Sequence, residues 1–130
     1  MIEVDSVSKN FGAVQALNQV SFKVDQGEII GLLGPNGAGK TTMMRILSCF
    51  MPPSSGKVRI AGLDASRHSL AIRAKTGYFL ERVSIYPEMR VGSFLEFVAS
   101  IKGSRDRTPK QEAARVMKLC GLGLMSHRII

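Results

Sequence analysis

The chain has 130 residues, of which 45% are hydrophobic and 22% charged, and its formal net charge is +8. This length suits one small domain, and the composition is globular, which excludes a disordered chain. No apolar run reaches the roughly 18 residues of a membrane-spanning helix, and the first ten residues lack the pattern of a secretory signal. Because the only two cysteines, Cys49 and Cys120, make no disulfide framework, we expect reduced, buried thiols and a cytosolic protein.

The excess positive charge lies in the second part of the chain. Residues 1–56 carry four basic and four acidic side chains, so residues 57–130 hold the whole excess. A basic half can favour nucleotides, nucleic acid or anionic lipid, or it can be a solvated surface whose acidic counterparts lie elsewhere. Its basic residues are scattered singly with few aromatic residues between them. This disfavours a nucleic-acid platform, and no nucleic-acid partner is expected.

The first third of the chain changes from one strand pattern to another. Apolar and polar residues alternate over residues 2–5 and again over 20–25, which predicts two half-exposed strands. The nearly continuous apolar run at 29–33 instead predicts a parallel strand buried on both faces. Together the patterns predict a mixed sheet in which a solvated antiparallel part lies beside a covered parallel part.

The rest of the chain has mainly helical patterns. After a glycine-rich loop, Met43, Leu47 and Phe50 define the stripe of a helix that we expect to end at Pro52-Pro53. The later predicted elements are a short strand at 57–61, part of a helix at 70–75, a strand at 76–80, a helix whose stripe runs from Val91 to Ile101 before Gly103, and a last helix from about Thr108 to Leu119, capped by Gly121.

Residues 34–41, Gly-Pro-Asn-Gly-Ala-Gly-Lys-Thr, match the phosphate-binding pattern G-x-x-x-x-G-K-[ST]. Glycines let consecutive amides turn inward around phosphate oxygens, and the positive end of the following helix adds attraction. Lys40 would then contact the β- and γ-phosphates, and the Thr41 hydroxyl would bind Mg²⁺. A chance glycine turn is the alternative, but the buried strand before the loop and the amphipathic helix after it favour the phosphate site.

Longer segments carry a resemblance to a known family. The run VSKNFGAVQALNQVSFKVDQGEIIGL, followed by LGPNGAGKTT, resembles the nucleotide-binding domain of ABC transporter ATPases. The segments PPSSGKVRIAGLD and GYFLERVSIYPEMRVGSFLEFVASIKG are also similar to that family, the second to its exporter branch. The resemblance implies an α/β fold with a P-loop NTPase core: a mixed sheet with an antiparallel N-terminal portion and the start of an α-helical subdomain.

The resemblance also implies a division of the chain and a set of site residues. Residues 1–88 would be the ATP-binding core and 89–130 the start of the helical subdomain. Phe11 would stack on adenine where most members have Tyr, although a core Phe at a strand end is the alternative. Glu81 stands where the family usually has a Gln that meets Mg²⁺ and the attacking water. The candidate residues for binding ATP are Phe11, Gly34, Pro35, Asn36, Gly37, Ala38, Gly39, Lys40, Thr41 and Thr42, with Thr41 and Glu81 as candidate Mg²⁺ ligands.

Some family features are replaced or do not occur. Leu80 replaces a usual Pro, and Arg90 and Ser93 replace the Thr and Glu of a capping box, so the helix that starts near residue 91 should lack a side-chain cap. The sequence contains no L-S-G-G-Q signature and no apolar strand ending in Asp-Glu, and its two histidines, His68 and His127, match no switch position and should lie at the surface. By resemblance the domain is incomplete and stops just before the signature. No catalytic residue is assigned, and no turnover is expected of the chain alone.

Several functions remain open from the sequence. The first is the ATP-binding part of a transporter's energising subunit, which couples ATP binding and hydrolysis to export, with an integral membrane permease and a second nucleotide-binding domain as partners at the inner face of the plasma membrane. The second is a non-catalytic ATP-binding or regulatory module. A small kinase or a GTPase is a third, but no N-K-x-D guanine reader occurs, and Arg105 and Arg107 make a poor kinase lid. DNA-repair relatives usually carry large insertions that this sequence lacks.

Overall fold

The computed structural model describes residues 1–79, 85–103 and 106–130. The chain divides into two compact units, Met1–Phe79 and Leu80–Ile130. The strands are β1 (Ile2–Phe11), β2 (Val14–Val24), β3 (Ser55–Ile60) and β4 (Leu63–Asp64), and the helices are α1 (Lys40–Leu47), α2 (Ser69–Lys75), α3 (Val91–Lys102) and α4 (Pro109–Leu119), followed by a 3-10 turn at Gly123–Met125. Within these described ranges, no helix has both the length and the apolar character needed to cross a membrane.

The first unit is built on a four-stranded antiparallel sheet with the order β2-β1-β3-β4. The two long strands β1 and β2 form a hairpin in which Ile2 lies opposite Val24 and Phe11 opposite Val14. The other edge of β1 pairs with β3, where Ile2 lies opposite Ile60. The expected antiparallel N-terminal portion of the fold is therefore confirmed, with two strands, β3 and β4, in addition to the two that the pattern of residues 2–25 indicated.

The core of the first unit lies between this sheet and α1. From the helix, Met43 is 2% exposed and Ile46 is 1% exposed. These residues are three positions apart and therefore share one face of the helix. The sheet contributes Val4, Val7, Leu17 and Val58 to the same cluster. Burying an aliphatic side chain of this size stabilises a fold by about 1.5–3 kcal/mol, so this contact fixes α1, and the loop before it, on the sheet.

The predicted end of α1 at Pro52-Pro53 is wrong, because the helix ends at Leu47. Cys49 follows with a φ of +54°, and the Cys49 amide donates to the carbonyl of Ile46 while the Phe50 amide donates to that of Arg45. This is the bonding pattern of a Schellman motif, which closes a helix with a left-handed residue, usually Gly. Phe50 consequently lies outside the helix and is 75% exposed, not part of the buried stripe.

The predicted strand at 29–33 does not form, and its burial was also wrongly predicted. Ile29 is 99% exposed and Leu33 94% exposed, and only Leu32 of the segment is half-buried and packs against the core. A parallel strand needs hydrogen-bonding neighbours, and every strand in the described part of the first unit pairs only with the antiparallel set. The strand predicted at 76–80 is likewise absent over residues 76–79, and Leu80 lies outside the described residues.

The second unit contains α3 and α4, and both predicted helices are confirmed. In α4 the buried side chains are Ala113 and Met117, which are one turn apart. The apolar stripe of α3 is mostly half-buried, but Ile101 at its end is 69% exposed. Gly103 follows α3 with a φ of +68°, which is the helix-ending role expected for it.

The start of α3 has no side-chain cap, as the replacement of the capping box predicted. Backbone carbonyls near the end of the chain take over this role. The Val91 amide donates to the carbonyl of Arg128 and the Gly92 amide to that of Ser126, both at 2.9 Å. The guanidinium of Arg90 donates to a third carbonyl in the same segment at 2.7 Å. Two of the amides at the start of α3 are thus satisfied without a capping side chain.

The cysteines and histidines lie near or at the surface. Both thiols are free, but the predicted burial is wrong for Cys120, which is exposed. Cys49 is half-buried, and this burial raises the pKa of its thiol although the charge of Arg73 opposes the shift. His68 and His127 are both exposed, which confirms the expectation that they are surface residues.

Candidate functional site

The loop of residues 34–41 joins the segment at 29–33 to α1. Residues 34–38 are exposed, and the turn is closed by a hydrogen bond from the Ala38 amide to the carbonyl of Pro35 at 3.2 Å. Gly37 and Gly39 have φ angles of +85° and +83°, in the left-handed region that favours glycine. Residues 34–38 of this loop are therefore accessible to a ligand from solvent.

Gly39 lies directly against β2. A Cβ atom at this position would lie 2.5 Å from the carbonyl oxygen of Ala16 and 2.7 Å from a methyl carbon of Leu17. Such distances are well inside van der Waals contact, and the left-handed backbone adds a second cost for any side chain. A glycine at position 39 thus lets the loop end and the helix begin in contact with the sheet.

The start of α1 offers free amides to an anion. Gly39 is the N-cap residue, no side chain caps the helix, and its first turn contains no acidic residue. Within residues 1–79, 85–103 and 106–130, the amides of Lys40 and Thr41 have no hydrogen-bond acceptor. The first amides of a helix carry its partial positive charge, so this end is suited to bind a phosphate oxygen.

The side chain of Lys40 crosses back over the loop. Its Nζ donates to the carbonyl oxygens of Gly34 at 2.6 Å and Pro35 at 2.7 Å. None of the salt bridges between described residues involves Lys40. A hydrogen bond between two charged groups is stronger than one to a neutral carbonyl, so a phosphate at the loop can draw the ammonium away from these two oxygens.

The candidate metal ligands are only partly described. Thr41 is exposed in the first turn of α1, and Thr42 beside it is half-buried, whereas Glu81 lies outside the described residues. In the described ranges, no group of three or more His, Cys, Asp and Glu side chains is placed to hold a metal ion. Mg²⁺ usually keeps several waters and binds substrate phosphates with few protein ligands. The Thr41 hydroxyl therefore fits an ion that arrives with a nucleotide.

Phe11 is the last residue of β1 and is 49% exposed, so the alternative of a core phenylalanine is wrong. Its cross-strand partner is Val14, and β2 continues from there to Ala16 and Leu17, which contact Gly39. The same hairpin therefore carries the aromatic ring and supports the end of the loop. An exposed aromatic face of this kind can stack on a planar base.

Lys9 was not among the residues singled out from the sequence. Its Nζ donates to the carbonyl of Pro52 at 2.8 Å and lies 5.4 Å from the ring centroid of Phe11. Residues two positions apart on a strand share a face, so the pairing of Lys9 with Phe11 could have been read from their spacing. The bond to Pro52 could not, because 43 positions separate the two residues.

Comparisons with known proteins agree on one family. The model of the family described as "ABC transporter" matches residues 17–130. The probable multidrug ABC transporter ATP-binding protein YbhF of Escherichia coli K12 is 35% identical over 128 residues, which are 98% of this chain and 22% of YbhF. The sulfate/thiosulfate import ATP-binding protein CysA of Caulobacter vibrioides is 33% identical over 129 residues, covering 94% of this chain and 38% of CysA.

Solved structures share the fold. The dimeric post-hydrolysis state of the ATP-binding cassette MJ0796, bound to ADP and Pi, superposes with a TM-score of 0.78 at 22% identity and covers 99% of this chain and 61% of that one. The ATP-binding subunit of an ABC transporter superposes with a TM-score of 0.75 at 26% identity and covers 98% and 53%. This chain therefore spans less than two thirds of the length of each of these relatives.

Proposed function

The chain belongs to the ABC transporter family, and we propose that it is the ATP-binding portion of the energising subunit of such a transporter. The observation that carries this proposal is the loop at 34–41, where an uncapped helix start, exposed amides and the ammonium of Lys40 lie together. The loop amides and Lys40 would bind the phosphates. Phe11 would stack on the adenine. The ADP and Pi bound to the MJ0796 cassette support a nucleotide as the ligand of this fold.

Magnesium would enter this site with the nucleotide. We infer that the Thr41 hydroxyl and the carboxylate of Glu81 are its protein ligands, since both are oxygen donors of the kind Mg²⁺ prefers. Bound Mg²⁺ would neutralise part of the charge of the β- and γ-phosphates. The remaining loop positions proposed to contact ATP, beyond Lys40 and Thr41, are Gly34, Pro35, Asn36, Gly37, Ala38, Gly39 and Thr42.

We also propose how the chain is divided and which partners the whole subunit has. Residues 1–88 would form the ATP-binding core and 89–130 the start of the helical subdomain. Its partners would be an integral membrane permease, which holds it at the inner face of the membrane, and a second nucleotide-binding domain. ATP hydrolysis and transport would belong to that assembly. The relatives include a multidrug protein and a sulfate importer, while the resemblance of residues 77–103 to the exporter branch favours export.

Replacing Lys40 with alanine should weaken binding of Mg²⁺-ATP about 10- to 100-fold. Hydrogen bonds to charged groups are worth about 1.5–3 kcal/mol, and the ammonium is the side-chain cation expected at the phosphates. The measurement is a titration of a fluorescent ATP analogue in the presence of Mg²⁺. Lys57→Ala, which removes an exposed lysine from β3, is the matched control and should bind like the wild type. Equal affinity of the Lys40→Ala and wild-type proteins would contradict the proposed site.

A further inference from the structure

The ammonium of Lys9 makes two contacts near the end of β1. The residue is half-buried in β1, and its ammonium lies between the carbonyl of Pro52, at 2.8 Å, and the ring of Phe11, at 5.4 Å from the centroid. None of the salt bridges between described residues includes Lys9. A cation within about 6 Å of an aromatic centroid is attracted to the face of the ring. The two contacts of the ammonium thus join the end of β1 to the turn that follows α1.

The backbone on either side of Lys9 is tied to the same turn. The Ser54 amide donates to the carbonyl of Ser8 at 2.8 Å, and the Asn10 amide donates to the hydroxyl oxygen of Ser54 at 3.0 Å. With the bond from Lys9 to Pro52, three hydrogen bonds connect residues 8–10 to residues 52–54. These bonds therefore anchor β1 as far as Asn10, the residue before Phe11, while the ring of Phe11 is half exposed.

We propose that Lys9 is a positioning residue for Phe11. Its ammonium lies over the ring, which keeps about half of its surface exposed for the base, so that the ring is already oriented when ATP arrives. A side chain ordered in advance loses less conformational entropy on binding, and the saving strengthens the complex. This inference rests on the proposed function, since it needs Phe11 to stack on adenine. It assigns Lys9 no contact with the phosphates.

The test compares a ligand that has a base with one that does not. We would measure the affinities of Mg²⁺-ATP and of inorganic tripolyphosphate by calorimetry for the wild type and for Lys9→Met, which keeps the length of the side chain and removes its charge. ATP affinity should fall about 2- to 5-fold, the value of a cation–π contact, and tripolyphosphate affinity should not change. Unchanged tripolyphosphate binding also shows that the variant is folded.

Three further variants separate positioning from other roles. Lys9→Arg, which keeps a cation near the ring, should restore ATP affinity, and Lys23→Met, at an exposed lysine of β2, should leave it unchanged. In a Phe11→Ala background, Lys9→Met should weaken ATP no further, because a residue that acts only through Phe11 has nothing left to position.

The outcomes distinguish this inference from the proposed function. The inference is overturned if Lys9→Met leaves ATP affinity intact, weakens tripolyphosphate to the same extent, or has its full effect without Phe11. In each of these cases the proposed function is still supported, provided that the wild type binds ATP and that Lys40→Ala weakens this binding. A wild type that binds neither ligand overturns both.

Discussion

An alanine at position 39 should lower the free energy of unfolding of the first unit by about 2–5 kcal/mol. About 1–2 kcal/mol comes from placing a side chain on a left-handed backbone. A further 1–3 kcal/mol, roughly, comes from the overlap of the new methyl group with β2. The overlap is severe because the methyl carbon would lie 2.5 Å from the carbonyl oxygen of Ala16, a backbone atom that cannot rotate away. This overlap is removed only if the loop moves away from the sheet.

Two other glycines of the same segment are matched controls. Gly37 has a φ of +85° but no atom within 4 Å of an added Cβ, so Gly37→Ala should show only the backbone cost. Gly31 has neither a left-handed backbone nor a close neighbour, and Gly31→Ala should change stability little. Urea unfolding followed by circular dichroism gives the three free energies. A cost for Gly39→Ala no greater than that for Gly37→Ala would mean that the loop does not contact β2 as described.

Replacing Ile46 with alanine should destabilise the first unit by about 2–5 kcal/mol, the range measured for large-to-small changes in protein cores. Ile46 is 1% exposed and lies where α1 meets the sheet, so the lost methyl groups leave a cavity between the two layers. Because α1 carries the loop and its amides, ATP affinity should fall in proportion to the fraction of molecules that unfold.

The control for this change lies two residues away on the same helix. Met44 is 44% exposed, and Met44→Ala should alter the free energy of unfolding by less than about 1 kcal/mol. Both variants keep the helix propensity close to its best value, since alanine is the strongest helix former. If the two substitutions cost the same, the core does not lie between α1 and the sheet.

The parts of the fold that could be predicted from the sequence are those with a local signal. Alternation over residues 2–5 and 20–25 predicted two half-exposed strands in an antiparallel sheet, and the 3.6-residue period predicted α3. The end of α1 was predicted wrongly because a cysteine, Cys49, adopts the left-handed conformation that glycine usually has in a Schellman motif. The prolines at 52 and 53 were the stronger signal but lie beyond the actual end.

The strand predicted at 29–33 shows a different limit of sequence patterns. An apolar run indicates that a segment prefers burial, but the hydrogen bonds of a parallel strand depend on neighbours that are distant in sequence. In the described part of the first unit, β1 and β3 pair with each other and with the two outer strands, and the segment at 29–33 has no partner among them. The apolar pattern therefore indicated correctly that the segment is hydrophobic, but none of these four strands pairs with it.

In the candidate site, too, the local features could be predicted from the sequence and the long-range contacts could not. The loop is eight consecutive residues, so its pattern could be recognised directly and its glycines assigned to their backbone roles. The supporting contacts are long-range in sequence: Gly39 lies against Ala16, and Lys9 donates to Pro52. No local sequence pattern predicts either contact. Phe11 was found only through the resemblance to the family, and Glu81 stays a prediction because it lies outside the described residues.

If the loop amides and the start of α1 receive the phosphates of ATP, amide NMR should show it at those residues. With ¹⁵N-labelled protein and Mg²⁺-ATP, the largest chemical-shift changes should occur at the amides of residues 37–42, because these N–H groups lie where the phosphate oxygens would bind. At an ATP concentration that just saturates the wild type, the same amides should shift much less in Lys40→Gln, because the variant is then only partly occupied. Shifts concentrated on α3 and α4, with the amides of residues 37–42 unchanged, would show that the phosphates do not bind at this loop.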